Sequence, residues 1–158
     1  MIKNKNEVKL YNAIFPVFFL YVIHPLFIGG LIIGNFIIDS IVLLTCLKIL
    51  YNKFDFKTYS KTIFSVVSFG FIGDIIGSLY LILITFTDIV NMSMESIPAM
   101  LFIISGVILS AVIIFWLNYS VSFRKTDFTK KQKLFVSFTI AVSTAPYTFL
   151  IPTQYIYI

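Results

Sequence analysis

Two aspartates, Asp39 and Asp74, stand inside long apolar runs and are the side chains best placed to do chemistry. An ionised Asp at the centre of a bilayer costs about 2.5–3.5 kcal/mol on insertion scales, so such an acid is protonated or meets a partner. At about 1.5 Å per helical residue, Asp39 lies roughly 13 Å from Lys48, and Asp74 roughly 20 Å from Lys61. No Lys or Arg lies deeper in either run. The pair therefore predicts a site for protons, cations or a cationic substrate.

Neutral polar residues near the two acids are candidates to complete this site. Asn35 lies one turn before Asp39, and Ser78 lies one turn after Asp74. Two carboxylates that share a dry site would titrate as a coupled pair. The alternative is that both acids stay protonated and hydrogen-bond to neighbouring helices, in which case they serve assembly.

Small residues surround Asp74. Gly70, Asp74, Gly77 and Ser78 share a helical face, since positions three and four apart align. Gly73 and Gly77 also form a small-x-x-x-small pattern, which lets transmembrane helices approach closely. We therefore expect Gly70, Gly73 and Gly77 to pack against a neighbouring helix, bringing Asp74 against its backbone.

Near the carboxyl end of the chain, Pro146 predicts a helix kink. It cannot donate to the carbonyl of Val142, and nearby hydroxyls are well placed to bond that oxygen. Kinked helices with free carbonyls form ion sites in transporters.

The chain has one histidine and one cysteine. We interpret His24, beside Pro25, as a turn residue and Cys46 as a packing residue. We expect no metal site and no cofactor.

Enzyme classes fit the sequence poorly. Intramembrane aspartyl proteases carry Gly-x-Gly-Asp, but here Phe71 replaces the first glycine of the segment that ends in Gly73 and Asp74. The chain has no paired Ser/His or Cys/His arrangement and no phosphate-binding loop. We therefore expect no enzymatic activity.

The elements that position these residues follow from composition. The chain has 158 residues, of which 59% are hydrophobic and only 12% charged, with a mean hydropathy of +0.98. Soluble domains carry about 25% charged residues, so the excess apolar surface needs lipid as its solvent. The net charge of +5 does not indicate nucleic-acid binding, because the basic residues fall in short breaks between the apolar runs.

The sequence predicts an all-α transmembrane bundle in a single domain, 1–158. A spanning helix needs about 20 mostly apolar residues. Five segments qualify, at about 11–28, 31–51, 62–87, 97–119 and 134–151. A bend marked by His24, Pro25, Gly29, Gly30 and Gly34 separates the first two, which we expect to form a short helical hairpin, with a re-entrant pair as the alternative.

Charge placement sets the predicted orientation. With five spans, all 12 Lys and Arg residues fall on one side, which the positive-inside rule makes cytoplasmic. The N-terminus is then inside and the C-terminus outside. Ser96, Asp55 and Asp127 are predicted helix caps.

These features favour a small transport or channel-like component of a membrane, with Asp39 and Asp74 binding protons or cations. The alternative is a non-catalytic interaction protein, an accessory subunit or a toxin-immunity factor, that uses its small-residue faces. We expect the lipid bilayer as partner, with a homo-oligomer or another membrane protein as a further one. Abundant Ile, Phe, Lys and Asn suggest an A+T-rich, bacterial genome, so we expect a multi-pass protein of a bacterial cytoplasmic membrane.

Overall fold

The computed structural model describes residues 25–86 and 97–150, and all regular secondary structure in these ranges is helical. The elements are α1 (Pro25–Tyr51), α2 (Phe56–Phe86), α3 (Ile97–Leu117), a π-helical turn (Asn118–Ser122), α4 (Lys130–Thr144) and a 3-10 turn (Tyr147–Leu150). Four stretches are long and apolar enough to cross a membrane: Ile32–Tyr51, Phe56–Ile84, Met100–Ser122 and Lys130–Leu150. The chain is therefore a multi-pass, helical integral membrane protein.

The predicted bend does not occur at its glycines, and His24, the first residue of that bend, lies outside the described residues. α1 begins at Pro25 and continues without a break through Gly29, Gly30 and Gly34. Proline is well tolerated in the first turn of a helix. Glycine lowers helix propensity by about 1 kcal/mol, but in an apolar environment a broken helix would leave its peptide groups unbonded. The predicted span 11–28 lies outside the described residues, apart from its last four positions, which belong to α1.

The loop between α1 and α2 has clear local causes. Asn52 has a positive φ of 54°, a left-handed conformation that Asn tolerates at the end of a helix. Asp55 then caps α2, as predicted, because its Oδ1 accepts from the N–H groups of Lys57 at 3.2 Å and Thr58 at 3.3 Å. The cap starts α2 at Phe56, six residues before the predicted span.

The cap of α4 differs from the prediction. Thr129, not Asp127, caps this helix through a reciprocal capping box with Gln132. The Gln132 N–H donates to Thr129 Oγ1 at 3.3 Å, and the Thr129 N–H donates to Gln132 Oε1 at 2.8 Å. A Thr followed three residues later by Gln is the sequence signature of this motif. Ser96, the predicted cap of α3, lies outside the described residues.

The four helices form a closed ring in which each packs against two others. α2 lies between α1 and α3, and α4 lies between α3 and α1. The main core contains Leu43 and Leu47 of α1, Val66 of α2, Ile114 of α3 and Ile140 of α4. Large apolar side chains on the outside, such as Phe64 at 82% exposure, face the surroundings as expected for contact with lipid.

The two short connections lie at the same end of the bundle. The ring of Tyr51, at the end of α1, stacks on Phe128 in the α3–α4 connection, with 6.1 Å between centroids. All nine Lys and Arg of the described residues lie at or near these connections. We call this end of the bundle, formed by residues 52–55 and 123–129, the basic end.

A buried amide stabilises the π-helical turn of α3 near the basic end. Asn118 is fully buried, and its Nδ2 donates to the Ile114 carbonyl at 2.9 Å. Its Oδ1 accepts from the Ser122 hydroxyl at 2.8 Å. Because these polar groups are all satisfied by neighbours on the same segment, their role is structural.

Candidate functional site

The two aspartates lie on the inner faces of adjacent helices. Asp39 of α1 is 2% exposed, and Asp74 of α2 is 7% exposed. Asp39 belongs to the buried stripe that continues through Leu43, Cys46 and Leu47, a helical spacing that places all four on one face. The carboxyl groups are close enough for their charges to interact. The structure therefore brings the two acids together in one site between α1 and α2.

A glycine on α2 makes room for the first acid. A Cβ placed on Gly70 would lie 3.5 Å from Asp39 Oδ2, so the carboxyl group rests against the backbone of α2. Gly70 and Asp74 are one turn apart on the same face. This face of α2 forms one wall of the site.

Two neutral side chains flank the acids. Asn35 of α1 lies beside Asp74, and Thr144 at the end of α4 lies beside Asp39. The site therefore draws on three helices. A sequence pattern within one helix gives no signal for the contact between Asp39 and Thr144, because it depends on how α1 and α4 are aligned. Further along the same two helices, Cys46 of α1 lies beside Thr139 of α4. A later residue of α1 thus meets an earlier residue of α4, as expected for antiparallel helices.

One oxygen of each acid lacks a hydrogen-bond partner. Asp39 Oδ1 and Asp74 Oδ1 are buried and make no hydrogen bond within the described part of the chain, and the same holds for the hydroxyls of Ser110 and Ser137. Buried polar atoms of native proteins are nearly always paired, so each exception requires an explanation. Two unpaired carboxyl oxygens in one site have unused capacity to bind a proton or a cation.

Within the described ranges, no basic residue neutralises the pair. Lys and Arg are absent from 25–47, 62–86, 97–123 and 134–150, which are the stretches that surround the site. The described Lys and Arg residues closest to the pair along α1 and α2 are Lys48 and Lys61, near the basic end.

Ser78 is buried one turn after Asp74 on α2. It is 1% exposed, and its hydroxyl donates to the main-chain carbonyl of Asp74 at 2.8 Å. Its only proton is therefore committed to its own helix, which leaves the Ser78 oxygen as an acceptor.

The glycines of α2 divide between two neighbours. A Cβ on Gly73 would overlap the Ile114 side chain of α3, and a Cβ on Gly77 would overlap the Ser110 hydroxyl, also of α3. Gly70 instead faces α1. Asp74 and Gly77, which were predicted to share one face of α2, therefore contact different helices. Asp74 lies toward α1, whereas Gly77 packs on α3.

Pro146 ends α4 instead of kinking it. The helix stops at Thr144, and the chain resumes as a 3-10 turn at Tyr147. Pro146 has no N–H to donate to the Val142 carbonyl, and the Tyr147 hydroxyl donates to that oxygen at 2.5 Å. α4 therefore ends beside Asp39, inside the stretch that crosses the membrane.

Comparisons with protein families, with curated proteins and with solved structures find no match to this sequence.

Proposed function

We propose that this protein is a small transport or channel-like membrane component whose ion site is formed by Asp39 and Asp74. The proposal is carried by one observation: two interacting carboxyl groups are buried between α1 and α2, each with an unpaired oxygen. Intramembrane acids are rare and costly, and they mark ion and proton pathways. The proposal includes no enzymatic step.

The proposed orientation follows from the basic end. Placing this end in the cytoplasm agrees with the positive-inside rule. A first span at about 11–28 would make five crossings, with the N-terminus inside and the C-terminus outside. A bacterial cytoplasmic membrane is the proposed location. Because a five-helix bundle has little room for a permeation path, a homo-oligomer is the proposed form of the conducting unit.

Ion flux in reconstituted vesicles tests the function. We expect Asp39→Asn and Asp74→Asn each to reduce proton or monovalent-cation flux at least tenfold, because each removes a carboxylate from the site. Asp127→Asn is the matched control, since it makes the same change at an exposed position of the basic end. Wild-type flux in both site variants, with normal folding, would overturn the proposal.

A second candidate function is supported by the outer side of α1. Cβ atoms placed on Gly29, Gly30 and Gly34 would meet nothing within 4 Å, and small residues in transmembrane helices favour close helix contact. An accessory subunit or immunity factor would use such a face to bind another membrane protein. This second function predicts that a partner protein co-purifies with the wild type in mild detergent. The partner should no longer co-purify with the Gly34→Leu variant but should still co-purify with Asp39→Asn. Retention of the partner by Gly34→Leu would count against this function.

A further inference from the structure

A groove on the outside of the bundle lies between α3 and α4, at the small side chains of Ala111 and Ala141. Ala141 is buried, whereas most of the longer side chains around it are exposed. These longer side chains are all apolar: Ile108, Val112 and Phe115 of α3, and Phe138 and Val142 of α4. Because both helices belong to stretches that cross the membrane, lipid chains surround this groove.

The dimensions of the groove suit a narrow, flexible chain. Its volume is about 240 Å³, below the roughly 300–1,000 Å³ of sites that hold drug-sized molecules. Phe115 and Phe138 border it with one aromatic ring from each helix. Transmembrane helices approach each other closely where small residues meet, so these two rings disfavour a further helix as the occupant.

The apolar surface continues from the groove toward the basic end. On α4, four exposed residues share one helical face because they lie four, three and four positions apart: Lys131, Phe135, Phe138 and Val142. On α3, the ring of Phe115 stacks on Tyr119, one turn closer to the basic end, with 6.0 Å between centroids. Tyr rings prefer the membrane–water interface. The path from the groove therefore ends at a tyrosine and a lysine at the level of the lipid headgroups.

The length of this path matches one leaflet of a bilayer. Lys131 and Val142 are eleven residues apart within α4, which is roughly 17 Å along the helix. One leaflet contributes about 15 Å, half of the hydrocarbon core. An acyl chain that follows the path from Val142 would therefore bring its headgroup to Lys131.

The charge at this level is strongly positive. Between Phe115 and Thr144 the chain has a single acid, Asp127, and five basic residues: Arg124, Lys125, Lys130, Lys131 and Lys133. Basic clusters where transmembrane helices meet the headgroups attract anionic lipids. The charge therefore complements a negative headgroup.

We propose that this groove binds one acyl chain of an anionic phospholipid whose headgroup lies at Lys131. None of the residues along this path belongs to the proposed ion site, so the inference does not depend on transport. The surrounding bilayer supplies the ligand.

Quenching of tryptophan fluorescence by lipids with brominated acyl chains tests the proposal. Trp116 is the only tryptophan of the chain, is 63% exposed, and lies one turn from Val112 on the same helical face. The protein is reconstituted in phosphatidylcholine vesicles with increasing fractions of brominated phosphatidylglycerol or, for comparison, brominated phosphatidylcholine. We expect phosphatidylglycerol to bind about fivefold more strongly or better, since one Lys near the surface favours an anionic lipid by about that factor.

Two variants separate the headgroup from the acyl chain. Lys131→Gln should reduce the preference for phosphatidylglycerol about fivefold, whereas Lys57→Gln, the matched change at the second residue of α2, should retain it. Ile108→Phe should weaken the binding of both lipids, about fourfold for each methylene group that the larger ring displaces. Its matched control is Ile75→Phe, on an exposed face of α2, which should leave binding unchanged.

Circular dichroism checks the folding of each variant, and the surface change Lys131→Gln keeps the test decisive if Ile108→Phe does not fold. Equal binding of the two lipids by the wild type would overturn the proposal, as would the same loss of preference in Lys57→Gln as in Lys131→Gln. Trp116 fluorescence that neither lipid quenches would also overturn it, because a second copy of the chain would then cover the groove.

Discussion

The contact between α2 and α3 depends on the absence of a side chain at Gly77. A Cβ there would overlap the Ser110 hydroxyl and would lie 3.1 Å from the Gly106 carbonyl oxygen and 3.3 Å from a ring carbon of Phe149. Ser110 can rotate away, since its hydroxyl has no partner within the described part of the chain. The Gly106 oxygen belongs to the backbone and moves only if the helices separate.

We therefore expect Gly77→Ala to destabilise the protein by about 1 kcal/mol net. Overpacking a close contact costs about 1–3 kcal/mol, and a gain in helix propensity of up to about 1 kcal/mol offsets part of it. The matched control is Gly34→Ala, where an added Cβ meets nothing within 4 Å. This control should be neutral or slightly stabilising.

Reversible unfolding in mixed micelles, followed by circular dichroism, measures the difference. A double-mutant cycle with Ser110→Gly separates the hydroxyl overlap from the backbone contact, because neighbouring sites are not additive. The double variant should recover part, but not all, of the lost stability. Equal stability of Gly77→Ala and Gly34→Ala would refute the packing of α2 on α3 through this glycine.

Two further predictions concern the helix caps at the basic end. Asp55 has a pKa below its ordinary value, chiefly because the Thr58 hydroxyl donates to its carboxylate at 2.6 Å. The ionised cap therefore adds its full contribution to the free energy of unfolding above the ordinary pKa of Asp, and this contribution is lost as pH falls through the lower pKa of the folded protein. Asp55→Ala should cost about 0.5–1 kcal/mol at neutral pH, and the difference from wild type in pH-dependent unfolding should begin to shrink as pH falls below about 4 and disappear once pH is below the lowered pKa of Asp55. Thr129→Ala should cost about 1 kcal/mol in the same assay, whereas Asp127→Ala should change stability by less than about 0.5 kcal/mol. The reverse order would assign the cap of α4 to Asp127.

The sequence alone determined the class of the protein and its most unusual residues. Apolar runs of spanning length predict membrane helices because backbone groups in lipid must bond within their own segment. Asp39 and Asp74 could be singled out because a charge at that depth is costly wherever the helices pack. The cap at Asp55 was predictable because a cap acts only on the next three residues.

Only the tertiary structure decided which groups meet. These helices are apolar on nearly every side, so hydrophobic periodicity does not show which face is buried. The alignment of α1 with α4 brings Thr144 to Asp39, and helix packing turns Gly70 to α1 but Gly77 to α3. Such contacts between residues far apart in the chain depend on the crossing and alignment of whole helices, which no local pattern specifies.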